Sequence, residues 1–182
     1  MTQKPHEPSV NLSASTDTVM QHLFIQGETM QENIVEHLEE ILGYQFKNKE
    51  LLRTALTHKT YAFEARTPLE YNERLEFLGD SVLNFIIAEQ LYGGNRYFSE
   101  GELTRRRASC VNNNVLADVA IRLGIGKYLL LGRGEQKQEG AKNRTNLANM
   151  LEAIIGALYL DADLETARVF VLEKIYTKEY QF

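Results

Sequence analysis

The stretch Asn72-Glu73-Arg74-Leu75-Glu76-Phe77-Leu78-Gly79-Asp80-Ser81-Val82-Leu83 most narrows what this chain can fold into. Three acids sit inside an apolar run that continues through Phe85, Ile86, Ile87 and Ala88. At 3.6 residues per turn, offsets of three and four bring Glu73, Glu76 and Asp80 onto one helical face. Leu75, Leu78, Val82, Phe85 and Ile86 spread over the remaining surface, so the segment is expected to be a helix buried on most sides. Carboxylates in that setting are unfavourable unless something pairs with them, and a divalent cation is the obvious partner.

A second segment supplies facing donors. In Leu147-Ala148-Asn149-Met150-Leu151-Glu152-Ala153-Ile154-Ile155-Gly156-Ala157-Leu158, Glu152 lies within an apolar run and Asn149 shares its face three residues earlier. Two helices that each offer oxygen ligands at such spacings suit a hard cation. Mg²⁺ keeps several waters and needs few protein carboxylates, which fits Glu76, Asp80 and Glu152. The competing assignment for Glu152 is half of a buried ion pair with Arg74, Arg107 or Arg144.

The rest of the chain reads as all-α. Residues 1–28 mix Thr, Ser, Gln and Asn with two prolines, and are expected to form a flexible leader, with at most a helical turn between Val19 and Ile25. Residues 29–182 form the folded domain. Helices are expected from near Met30 to Leu42 with Gly43 as its stop, Lys49 to Thr57, Tyr71 to Tyr92, Leu103 to Val111, Val115 to Leu123, Thr145 to Leu160 and Leu164 to Tyr176. Thr145 or Asn146 is the expected cap of the long helix that carries Glu152, and residues 135–146 read as a polar loop. His58 reads as a structural residue at a helix end rather than as a ligand or base.

Composition bounds the partners. The 182 residues are 43% apolar, enough for one sizeable core, and no run is long and apolar enough to span a membrane. A single cysteine, Cys110, allows no internal disulfide and agrees with a cytoplasmic setting. Net charge is −5, so any nucleic-acid contact must come from local basic groups. Those groups are Arg105-Arg106-Arg107 and the loop bearing Lys137, Lys142 and Arg144.

Residues 72–83 also match a specific signature. The string resembles the Glu-Arg-Leu-Glu-Phe-Leu-Gly-Asp-Ser block of the ribonuclease III catalytic domain. Leu56-Thr57-His58 with Thr60-Tyr61, Glu100-Gly101-Glu102-Leu103-Thr104, Arg107-Ala108-Ser109 and Leu151-Glu152-Ala153 resemble its flanking blocks, from about Met30 to Tyr176. The resemblance implies an all-helical endonuclease domain that dimerises through the signature helix and cleaves double-stranded RNA, leaving staggered ends with 5′-phosphate and 3′-hydroxyl. It implies Glu76, Asp80 and Glu152 as catalytic metal ligands for Mg²⁺, with Mn²⁺ as a substitute. Glu73 then lies at the dimer edge and Glu100 faces the site; from the placement of the basic residues, Arg107, Lys142 and Arg144 are expected to contact RNA.

Two departures accompany the match. The family carries Asp where this chain has Asn149, which offers a neutral oxygen but no negative charge. Weaker metal binding and slower turnover follow. The chain also ends at Phe182, before the double-stranded RNA-binding domain that the family usually carries. RNA affinity is therefore expected to be weak and salt-sensitive. The alternative is an inactive member that binds RNA or serves as a scaffold.

Overall fold

Gly43 ends the first helix by taking φ +74°, and the amides of Gly43 and Tyr44 both donate to the carbonyl of Glu39 at 2.8 and 3.1 Å. That helix, α1, is Glu28–Leu42, the first element in a computed structural model that describes residues 28–176. The expected leader, and the turn near Val19–Ile25, lie outside the described residues. The remaining α-helices are α2 (Lys49–Leu56), α3 (Lys59–Glu64), α4 (Glu73–Gly94), α5 (Glu100–Val111), α6 (Asn113–Arg122), α7 (Arg133–Lys137), α8 (Arg144–Asp161) and α9 (Leu164–Lys174). Short 3-10 turns occupy Ile125–Tyr128 and Gly140–Lys142. Among the described residues there is no strand, only a parallel bridge between Thr57 and Leu130. None of these helices is long and apolar enough to cross a membrane.

Helix α8 is the central pillar. Every residue from Leu147 to Leu158 is buried except Asn149, which is half-buried, and the helix packs on α4, α6, α2 and α9. Its expected cap was Thr145 or Asn146. The cap is Asn143 instead, whose side chain accepts from both of those amides at 2.9 and 3.3 Å. The residue immediately before the helix is the better acceptor because its own backbone is still extended.

Helix α4 corrects the first expectation more substantially. It is buried on one face only, through Leu75, Gly79, Val82, Leu83, Ile86, Ile87 and Leu91. Phe77 is 78% exposed and Phe85 50% exposed on the other side. Both rings therefore face outward, away from the core.

The start of α4 is held by the one sheet-like feature among the described residues. His58 N donates to Leu130 O at 3.0 Å, Leu130 N to Leu56 O at 2.8 Å, and Asn72 N to Thr57 O at 2.9 Å. Asn72 is buried, and its carbonyl accepts from Glu76 N at 2.8 Å. The first acid-bearing turn thus has a fixed origin.

Three elements differ from the sequence expectation. α5 begins at Glu100, not Leu103, because Ser99 and Glu102 form a reciprocal capping box. α3 and α7 are six and five residues long, too short to show a helical repeat. His58 caps α3, with Nδ1 facing Thr60 N at 3.4 Å and Thr60 Oγ1 at 2.8 Å, in keeping with the structural role expected of it.

Candidate functional site

Two glycines decide how closely the acid-bearing helices approach. A Cβ on Gly79 would lie 1.8 Å from the backbone oxygen of Glu152 and 2.9 Å from the Gly156 nitrogen. A Cβ on Gly156 would lie 2.4 Å from the Leu75 carbonyl oxygen. The α4 and α8 backbones therefore touch at this crossing, which only glycine permits. The contact brings Glu76 and Asp80 of α4 opposite Asn149 and Glu152 of α8.

Glu152 shows what that proximity does. It is 7% exposed, and burial first, then Asp80, then Glu76, push its carboxyl up to about 8 from the ordinary 4.5. No arginine is among the groups acting on it. Arg144 is committed elsewhere, donating to Asp118 Oδ1 at 2.8 Å and to the Asn114 carbonyl at 2.7 Å. The buried arginine pair considered for Glu152 is not formed with Arg144.

Glu76 is also raised, by burial and then by Glu73, while Lys59 and a side-chain hydrogen bond from Asn149 pull it down. Asn149 thus acts as a donor to Glu76, which an ionised Asp there would not do. Asp80 is exposed, and its Oδ1 accepts from Asn84 Nδ2 at 2.8 Å. Glu73 is half-exposed and pairs with Lys59 Nζ at 3.1 Å.

Other expected site residues lie apart from this group. Glu100 accepts from Thr104 Oγ1 at 2.9 Å in the first turn of α5, and with Arg107 lines a 350 Å³ cavity between α4 and α5. Lys142 is exposed and pairs with Glu139 at 2.6 Å. Lys59 and Asn84 were not singled out from the sequence as site residues. Asn84 lies one turn after Asp80, so spacing alone carried its signal; Lys59 meets Glu73 only through the fold.

The donor set fits a hard divalent cation. Three carboxylates and an amide oxygen are hard ligands, and a cation would offset the burial and the neighbouring acids that raise Glu152. Among the described residues, no three His, Cys, Asp or Glu side chains form a ready metal cage.

Comparison with known proteins agrees with the fold and the signature helix. The family model for a ribonuclease-III-like domain matches residues 48–179. Ribonuclease 3 of Coxiella burnetii strain CbuK_Q154 is 54% identical over 140 residues, which cover 77% of this chain and 58% of that protein. Ribonuclease 3 of Bdellovibrio bacteriovorus is 47% identical over 137 residues, covering 75% and 58%. The nuclease domain of Campylobacter jejuni ribonuclease III superimposes with a TM-score of 0.72 at 40% identity, covering 78% of this chain and 95% of that one. That structure is described for flexibility in the region involved in its dimer formation. This chain belongs to the ribonuclease III family, as its endonuclease-type domain. It spans somewhat over half the length of the curated relatives.

Proposed function

We propose that this chain is a divalent-metal-dependent endoribonuclease domain that cleaves double-stranded RNA in RNA processing, attenuated by Asn149. The observation that carries the proposal is Glu152: a buried carboxyl held opposite Asp80 and Glu76, with no cationic side chain among the groups that act on it. A scaffold has no need of that destabilising arrangement, and strongly perturbed carboxyls cluster at functional sites.

Glu76, Asp80 and Glu152 would hold Mg²⁺, or Mn²⁺ in its place, with Asn149 giving one neutral oxygen. The ion supplies an activated water at neutral pH and offsets charge on the phosphate. Lys59 keeps Glu73 beside the site, and Asn84 fixes the rotamer of Asp80. The products are staggered ends with 5′-phosphate and 3′-hydroxyl. Asn149 lowers the charge of the site by one and ties up Glu76, so both metal affinity and turnover fall.

A second copy completes the reading. The exposed Phe77 and Phe85 on α4 offer an apolar face for homodimerisation through the signature helix. RNA contacts come from Arg107 and the loop with Lys142 and Arg144, and the domain works in the cytoplasm.

The test is incubation of this chain and its Asn149→Asp form with a labelled RNA duplex in Mg²⁺ and in Mn²⁺. Staggered products are expected, at a rate at least about tenfold higher for Asn149→Asp. If both proteins are inert at high concentration, the catalytic assignment is wrong.

A further inference from the structure

The corner between α4 and α5 carries aromatic rings that the cleavage site does not use. Tyr97 is 85% exposed and Tyr92, in the last turn of α4, is 78% exposed. The Arg96 guanidinium lies 5.7 Å from the Tyr97 ring centroid, and that of Arg106 lies 4.0 Å from the Phe98 ring.

Local hydrogen bonds define the backbone of this corner. Asn95 Oδ1 accepts from Tyr97 N at 3.0 Å, and Asn95 O accepts from Phe98 N at 3.2 Å. Ser99 N and Oγ both donate to Glu102 Oε2, at 2.8 and 2.7 Å. Glu102, the nearest acid in the capping box, is therefore occupied internally. Arg106 stacked on Phe98 anchors the far side of the loop. Facing outward are the Tyr97–Arg96 pair and, on the adjoining helix, Arg105 and Glu100, in a chain whose net charge is −5. A guanidinium beside an exposed ring suits a polyanion that also has flat faces.

We propose that residues 95–99, led by Tyr97 and Arg96, form a stacking platform for unpaired nucleotides that adjoin an RNA duplex. A duplex keeps its bases stacked inside, so only an unpaired overhang or hairpin loop can lay a base on Tyr97. Helical rise from Asp80 to the end of α4 puts the platform about 20 Å from the acids of the same protomer. The unpaired nucleotides are thus read well away from the scissile phosphate. The inference rests on the RNA-cleaving reading and deepens it: the substrate is a duplex with an unpaired extension rather than a blunt one.

The test measures dissociation constants by fluorescence anisotropy in Mg²⁺, on a Glu152→Gln background that leaves the RNA intact. The probes are a blunt duplex, the same duplex with an unpaired 3′ extension, and the extension as a free strand. The extended duplex is expected to bind about fivefold more tightly than the blunt one, with the free strand weakest. Tyr97→Ala and Arg96→Ala should remove that preference without changing affinity for the blunt duplex, and Tyr97→Phe should keep it. Equal binding of the two duplexes overturns the platform while leaving the nuclease reading intact. Failure to bind either duplex overturns both. Tyr97→Ala that dissociates a dimer in sedimentation shows a second copy on this surface, and also overturns the proposal.

Discussion

Glu152 is protonated more readily in the folded chain than in the unfolded one, and the sign of the consequence follows. Its carboxyl stands at about 8 when folded and 4.5 when free. Between those values the folded state binds more protons, so stability falls as pH rises through the window. Below it the group has no effect. Above it the whole penalty is present, on the order of a few kcal/mol. Urea unfolding of the metal-free protein from pH 4.5 to 8.5 should show this decline. Glu152→Gln should flatten it, raise stability at pH 8 and abolish cleavage. A pH-independent midpoint would contradict the burial argument. Asn149→Asp should act in the opposite direction, lowering the metal-free melting temperature by several degrees because it removes a donor to Glu76 and adds a fourth charge. Mg²⁺ should restore it, and a scan with and without the ion reads both effects. At this scale Glu76, Asp80 and Glu152 were readable from acids spaced on apolar helices. The Asn149–Glu76 bond was not, since no spacing rule links residues on different helices.

The crossing of α4 and α8 is the element on which the site depends. Gly79→Ala places a methyl carbon 1.8 Å from the Glu152 carbonyl oxygen, so the helices must separate. The expected loss is at least about 3 kcal/mol of stability, together with the facing geometry of Glu76 and Glu152. Gly156→Ala should behave similarly, meeting the Leu75 carbonyl at 2.4 Å. Gly94→Ala is the control: nothing lies within 4 Å of its Cβ, so the change should be neutral or stabilise by up to about 1 kcal/mol. Thermal melts by circular dichroism separate the three. Ser99→Ala should cost about 1 kcal/mol by removing the capping box at the start of α5. That box is a recognisable sequence pattern, whereas α3 and α7 hold too few residues for periodicity to show.

For the whole molecule, exposed aromatics on α4 carry the prediction. Phe77→Glu should shift a homodimer toward monomer in sedimentation velocity, with a loss of cleavage that tracks the monomer fraction. The folded monomer should keep its helical content, because Phe77 contributes almost nothing to the core. If the mutant sediments as the unaltered chain does, the dimer face lies elsewhere. The expectation that α4 would be enclosed on most sides failed at this scale. Apolar residues around a helix indicate burial against something, and the sequence does not say whether that partner is the same chain or another copy.

Local physics carried the helical class, most helix limits and the identity of the acids, because periodicity, capping residues and charge within an apolar run are properties of neighbouring residues. The tertiary structure alone decided that Gly79 and Gly156 meet, that Glu152 is raised by Asp80 and Glu76, that Arg144 turns to Asp118, and that Phe77 points outward. Each of these depends on how two helices cross. A crossing is set by backbone contact between residues distant in the chain, and no single segment records it.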